Sequence, residues 1–396
     1  MTPLGRLAPR VQETGFSHSQ PLTVSVSRGI APRPEDGGGR RALSEDLSSY
    51  LHVMPGDLVF NRLSTWQGAF GVSEYEGIVS PAYVVLRPNE HEQDSRFLSY
   101  LLHSSPYMAE LKRLSKWQPP AQFDILWEDL RGVSIPEVPH HEQRRIADFL
   151  DDRVTRIDKI TTARRRQAVL IELARMERLR QLTEGSGASQ GWSRPRVAHV
   201  FLTGSGSTPP SDRLSYYDGG VPWVNTGDVR DGPLTCTSRT VSESALADFS
   251  TLVLYPAGSL VIAMYGQGAT KGRTALLERA ACVNQACCVL QGDAQLLRWA
   301  FHWFRAHKRE IVELANGAGQ PNLSQETIRN VRLAIPKREF TEPLLQEIEE
   351  HEATVAKAQQ RLNVQTDLLQ EYKQSLITAA VTGELDVTTA ESGIPG

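Results

Sequence analysis

The same order of strings occurs twice along this chain, and that duplication constrains the fold more than any single motif. PGDLVFNRL (55–63), GIVSPAYVVLRP (77–88), RFLSYLLHS (96–104) and LRGVSIP (130–136) run through the first half. PAGSLVIAMYG (256–266), ACVNQACCVLQG (281–292), QLLRWAFHWF (295–304) and IRNVRLAIP (328–336) answer them in the second. Pro136 and Pro336 stand 200 positions apart, and Gly185 and Gly383, which end two long charged segments, stand 198 apart. A repeat of this kind decides the architecture before residue-level reasoning begins. It implies two like globular segments, each followed by a charged one.

GDLVF, AYVVLRP, SLVIAMY and CCVL are β-branched or apolar runs bounded by glycine and proline, the pattern of strands. RFLSYLLHSSPYMAELKRL (96–114) and QLLRWAFHWFRAHKREIVELA (295–315) have helical spacing. The globular segments, 1–141 and 186–341, are therefore expected to be α+β. The charged segments, 142–185 and 342–386, predict long helices, and 387–396 is left as a flexible tail. In the second charged segment Ile348, Val355, Leu362, Leu369 and Leu376 recur every seven residues. Ala358, Tyr372 and Ala379 hold the companion position three residues on, and Gln365 interrupts it. A shift of 198 finds Leu150, Ile157 and Ile171 at the same heptad position of the first segment, with Arg164 and Arg178 breaking that seam. A seven-residue step makes a narrow stripe, which suits a coiled coil better than a helix lying only on its own globular segment.

Charge supports pairing between the two helices. Residues 142–184 carry net +3 and residues 342–396 net −7, while 1–141 carry −3 and 186–341 carry +4. The expected architecture is two globular domains separated by two long antiparallel helices that form an intramolecular coiled coil, with a pseudo-twofold internal repeat. The charge of the globular segments permits nucleic-acid binding without requiring it.

No run of 18 apolar residues exists, and MTPLGRLAPRVQET at the N-terminus lacks an apolar core, so neither a membrane span nor a signal peptide is expected. Cys236, Cys282, Cys287 and Cys288 fall in one half, two of them adjacent, which suits buried free thiols better than disulfides or a zinc site. These features point to the cytoplasm and to no bound metal.

Motifs for chemistry are missing. GQGATKGRT (266–274) lacks the spacing that lets a loop cradle phosphates, and GSGSTPPS (204–211) runs into two prolines where a nucleotide-binding helix would start. The adenine methyltransferase tetrapeptide Asp/Asn-Pro-Pro-Tyr/Phe is absent, STPPS being the nearest string. His140-His141-Glu142 follows Pro139 and reads as the polar start of a helix, not a metal motif. No catalytic residue is assigned.

SEDLSSYLHVMPGDLVFNRLSTWQGAFGVSEYEGIVSPAYVVLRP (44–88) resembles the target-recognition domains of type I restriction-modification specificity subunits. GSGSTPPSDRLSYYDGGVPWVNTGDVRDG (204–232) resembles another family stretch, and SIPEVPHHEQRRIADFLDDRVTRID (134–158) and LLQEYKQSLITAAVTGELDV (368–387) resemble its two helical regions. The resemblance covers nearly the whole chain in the order domain, helix, domain, helix. It implies a non-catalytic DNA reader in which each domain recognises one half of a split, asymmetric double-stranded site. It also implies that the helices set the unread spacer and dock two modification (methyltransferase) subunits, with motor-nuclease (restriction) subunits joining for cleavage. S-adenosylmethionine, ATP and magnesium would then belong to the partner subunits and no cofactor to this chain. The first half has no counterpart of GGVPWVNTGD (219–228), so the two domains are expected to read different bases.

DNA-contact candidates lie on loops between strand-like runs. In the first domain these are Asn61, Arg62, Trp66 and Gln67, since arginine and glutamine can pair with guanine or adenine edges. Lys112, Arg113, Lys116, Trp117 and Gln118 form a basic and aromatic cluster suited to phosphate. The second domain offers Tyr265, Gln267, Thr270, Lys271 and Arg273, followed by Asn316, Gln320 and Asn322. Two other classes fit these residues. A restriction enzyme with an unrecognised centre would modify or cut DNA by itself, and a protein-binding scaffold would show no preference among duplex sequences.

Overall fold

The computed structural model describes residues 1–26, 28–34, 46–118, 122–185, 191–266, 268–315 and 322–389. The chain divides into two compact units, Met1–Arg165 with Asn363–Gly396, and Arg166–Leu362. That division falls inside both long helices. Most of the expected tail, 390–396, lies outside the described residues.

The first unit is built on β1 (Arg10–Val11), β2 (Leu58–Phe60), β3 (Phe70–Val72) and β4 (Val84–Leu86). Their spatial order is β1-β4-β2-β3, and every pair is antiparallel. β2 and β4 are apolar at every position because both faces are covered. Leu58, Phe60, Val84 and Leu86 join the core beneath the helices, while Val59 and Val85 join a second cluster with Leu22, Val24 and Val53.

After β4 come α1 (Ser95–His103) and α2 (Ser105–Leu114). The Asp94 side chain accepts from the amides of Arg96 and Phe97 and caps α1, worth about 1 kcal/mol. The helical pattern across 96–114 is one run in sequence and two helices in space. Ser104 turns extended, and Pro106 in the first turn of α2 cannot continue a helix through the break. β5 (Lys116–Gln118) and β6 (Gln122–Asp124) form an antiparallel pair that sets Trp117 opposite Phe123. The first long helix, α3, covers His140–Glu184.

The second unit carries β7 (Leu202–Ser205), β8 (Gly232–Leu234), β9 (Leu260–Ala263), β10 (Thr274–Leu277) and β11 (Cys287–Gln291). Their order is β7-β11-β9-β10-β8, antiparallel throughout except for the β10–β8 pair. Alternate residues again face two clusters. Leu260, Ile262 and Leu290 point one way, and Val261, Ala263 and Val289 the other. A smaller sheet forms where Tyr217–Val224 pairs with Arg239–Val241 and Cys282–Val283. Asp293 caps α4 (Ala294–Ala306), which is followed by α5 (Lys308–Glu313) and by the second long helix, α6 (Arg338–Thr382).

Segments of both long helices enter each unit's core. In the first unit Leu150 and Ile157 of α3 share a cluster with Leu376, Ile377 and Val381 of α6, and Leu369 packs against it. Lys373 donates to Asp158 at 2.8 Å. In the second unit Leu179 and Leu182 share a cluster with Leu345 and Ile348. There Glu172 meets Gln359, Arg175 meets Glu352 and Arg178 meets Glu347, so the two helix segments run in opposite directions. Val355 and Leu362 are buried and Ile171 is half-buried. Among the described residues no helix is long and apolar enough to cross a membrane. All four cysteines are free, but the expectation that all are buried fails at Cys236, which is exposed. It sits beyond the short strand β8, on a loop that no apolar layer covers.

Candidate nucleic-acid interface

In the first unit, the turn between β2 and β3 closes on its own backbone. Asn61 donates to the carbonyl of Ala69, Ser64 to that of Asn61, and Gly68 to that of Thr65. Gly68 takes φ +90°, a left-handed conformation that costs glycine little. His103 of α1 backs this turn. Its ring stacks on Phe70 at 4.0 Å, and burial holds its pKa below the ordinary 6.5.

Arg62 leaves this turn toward β6, not toward solvent. Its Nε lies 3.0 Å from Asp124 Oδ1 and 3.2 Å from the Ile125 carbonyl, and its Nη2 reaches Asp124 Oδ2. The Ile125 amide returns a bond to the Arg62 carbonyl at 3.4 Å. Trp66 donates its indole N–H to the Leu63 carbonyl and packs on Phe123, with ring centroids 5.0 Å apart. Trp117 also meets Phe123, edge-on at 5.2 Å. The two groups of candidates, 61–67 and 112–118, are thus joined through Asp124 and Phe123, neither of which carried a local signal. Pairs separated by 62 and 57 positions leave no trace in local periodicity.

The remaining candidates of this unit differ in availability. Asn61 donates to the Val24 carbonyl and is half-buried. Gln67 is exposed, and Trp117 is 56% exposed. Arg113 is held by Glu110 and Lys116 by Asp129, whereas Lys112 is exposed with no acidic partner among the described residues. Gln118 is described only through its backbone.

The corresponding loop of the second unit runs from β9 to β10 through a short 3-10 turn, Gly268–Thr270. Tyr265 is exposed, while Thr270, Lys271 and Arg273 are half-buried. Asp231 organises the loop. It accepts from the Thr274 amide at 2.9 Å, lies 3.9 Å from Arg273 and lies 3.5 Å from Lys308. Lys308 also donates to the Ala269 carbonyl at 2.8 Å, and burial draws its ammonium below its usual range. Asp231 itself takes φ +59°, a conformation an Asp-Gly turn accommodates. That dipeptide was the available sign of its role. Leu323 donates its amide to the Met264 carbonyl at 3.1 Å and brings half-buried Asn322 to the start of the loop. Gln267, Asn316 and Gln320 lie outside the described residues.

Each unit therefore presents a loop with polar and aromatic side chains, braced from behind by an aspartate. Among the described residues no group of three or more His, Cys, Asp or Glu side chains could hold a metal ion.

Residues 190–363 match the model of the type I restriction modification DNA specificity domain. The type I restriction enzyme MjaIX specificity subunit of Methanocaldococcus jannaschii is 21% identical over 154 residues. That match takes 37% of this chain and 35% of the relative, so the chain spans about a third of the relative's length. A chain solved in work on complex assembly and conformational transition of the type I R-M system superposes with TM-score 0.75 at 17% identity, over 97% of each chain. The HsdS subunit from Thermoanaerobacter tengcongensis superposes with TM-score 0.50 at 18% identity, over 97% of this chain and 96% of that one. At these identities the structural likenesses establish a shared fold.

Proposed function

We propose that this chain, whose residues 190–363 match the type I restriction modification DNA specificity domain, is a specificity subunit of that kind, and that each of its two units reads one half of a split, asymmetric DNA site. One observation carries the proposal. Strands β1, β4, β2 and β3 of the first unit and β7, β11, β9 and β10 of the second have the same spatial order, with every pair antiparallel. In both, the loop between the second pair of strands bears the candidate contacts. The backbone bond from Ile125 to Arg62 has its counterpart in the bond from Leu323 to Met264. A duplicated frame with different side chains on equivalent loops suits two independent readers of different half-sites.

In this reading the two long helices form an antiparallel pair that sets the unread spacer and docks methyltransferase and motor-nuclease subunits. The chemistry, with S-adenosylmethionine, ATP and magnesium, belongs to those partners, and this chain contributes recognition alone. The ion pairs between α3 and α6 and the opposite charge of the two segments support an intramolecular pairing.

A domain exchange tests the proposal. Residues 1–141 are replaced by the first domain of another family member, and methylated adenines are mapped in cells that supply the modification subunit. One half of the recognised site should change and the other stay. A change in both halves would mean that the units read DNA jointly and would refute the proposal.

A further inference from the structure

Arginine on a glycine-bounded loop is by residue type the first candidate for a base contact, because its fork matches the guanine edge. In the first unit that fork is already occupied. Two of the Arg62 nitrogens face the Asp124 carboxylate, and its Nε also faces the Ile125 carbonyl. The pair is partly shielded, with 28% of the Arg62 side chain and 16% of the Asp124 side chain exposed. Using this guanidinium on a base would strand the aspartate, an uncompensated charge beside apolar neighbours. Trp66 is spent in the same way, its indole N–H on the Leu63 carbonyl and its ring on Phe123.

Trp117 is the opposite case. Its ring rests edge-on against Phe123, more than half its surface is open, and its indole N–H has no partner among the described residues. An exposed tryptophan with a free donor, fixed by a neighbouring ring, offers both an apolar face and one hydrogen bond at small entropic cost. Gln67, on the turn braced by Arg62, is also exposed.

We propose that Arg62 and Asp124 are positioning residues, a latch that holds strand β6 and its partner β5 against the 61–67 turn, and that Trp117, with Gln67, makes the sequence-dependent contact of the first unit. The inference rests on the reading of the first unit as the reader of one half-site.

The experiment uses the full chain in complex with its modification subunit and duplexes in which each base pair of the first half-site is varied. Arg62→Gln and Asp124→Asn should each weaken first-half-site binding to a similar degree, on the order of tenfold. The order of base preference should be unchanged, and the double variant should lose no more than either single one. The reversed pair, Arg62→Asp with Asp124→Arg, should recover part of the loss, which a base-reading arginine could not do. Trp117→Ala should relax preference at one or two base pairs by on the order of tenfold, the scale of one lost base contact. Trp117→Phe, which keeps the ring but not the N–H, should relax it less. Retained binding to the second half-site confirms that each variant is folded.

Arg62→Gln relaxing a single base position while Asp124→Asn leaves it intact would overturn the latch. Unchanged base preference in Trp117→Ala would overturn the assignment of the reader. Hydrogen exchange over 116–118 and 122–124 in the DNA-free complex separates this inference from its premise. It should rise equally in Arg62→Gln and Asp124→Asn whichever half-site, if any, the first unit reads.

Discussion

Arg175, on the first long helix, and Glu352, on the second, meet at 2.8 Å, and Arg305 of α4 reaches the same carboxylate at 2.8 Å. The three side chains are between 10% and 20% exposed, so the carboxylate is the shared partner of two shielded cations. Burial would raise the Glu352 carboxyl, but Arg305 and Arg175 outweigh it and hold the group below its ordinary 4.5.

Replacing Glu352 with alanine should therefore leave the shielded Arg305 guanidinium without a carboxylate, while Arg175 keeps Glu172, and destabilise the second unit by about 3 kcal/mol. Denaturant unfolding of the full chain measures this. The sign of the pH effect follows from the lowered value. The contribution of Glu352 is complete above the ordinary carboxylate range and is lost as pH falls through its depressed pKa. Glu352→Ala should accordingly lose its disadvantage relative to the parent only below about pH 4.5.

His302 extends the acid sensitivity upward. Burial draws its imidazole down to about 4, with Arg305 and Arg298 acting in the same direction and Glu352 opposing. A base with a depressed folded pKa contributes stability that is complete above pH 6.5 and lost as pH falls through about 4. Across that window the second unit should lose about 3 kcal/mol on this account. His302→Phe should flatten the curve of unfolding free energy against pH between 6.5 and 4. An unchanged slope would show that the ring takes up its proton as readily in the folded chain as in the unfolded one.

Gly206 packs against Val283 so closely that a Cβ would stand 1.5 Å from the Val283 carbonyl oxygen. The next residue uses the same approach, the Ser207 amide donating to that oxygen at 3.1 Å. Gly206→Ala should force the two segments apart and destabilise the second unit by about 3 kcal/mol. Second-half-site binding should fall and first-half-site binding persist. Gly220→Ala, where a Cβ would meet nothing within 4 Å, is the matched control.

One heptad inserted near Gln167, in the polar break of the first seam, should lengthen that helix by roughly 10 Å. A seven-residue change returns the same face to the partner helix, while a change of three or four would distort the pairing. With a rise of about 3.4 Å per base pair, the unread spacer should grow by up to about three base pairs while both half-sites keep their sequences. Twist of the duplex will favour some increments over others. Methylation mapping of the variant reads the outcome, and an active variant with an unchanged spacer would mean that the helices do not measure distance.

The strands at 58–60, 84–86, 260–263 and 287–291 were legible because both their faces are covered, which writes short unbroken apolar runs into the sequence. The division of 96–114 at Ser104 was less legible, since apolar spacing continues across it and only Pro106 announces the break. The loops bearing the candidate contacts stood out by composition. What composition could not disclose was which of their side chains are already spent. Composition made Arg62 a candidate for base edges and put Trp117 in a phosphate cluster, and what decides their availability is Asp124 and Phe123, which a hairpin carries into place. Asp231 and Lys308 escaped notice for the same reason, lying 77 positions apart.

Every cysteine lies between 236 and 288, so the first unit has none. Burial lifts the Cys282 thiol to about 11 and the Cys288 thiol to about 12, and raises Cys287 further. While the two sheets that hold them stay closed, these three sulfurs have neither the thiolate nor the access that alkylation needs. Cys236 alone should react at once. The chain thus contains an internal clock for one of its halves. A slow second wave of thiol labelling times the opening of the second unit, and its absence while other signals of unfolding appear marks opening of the first.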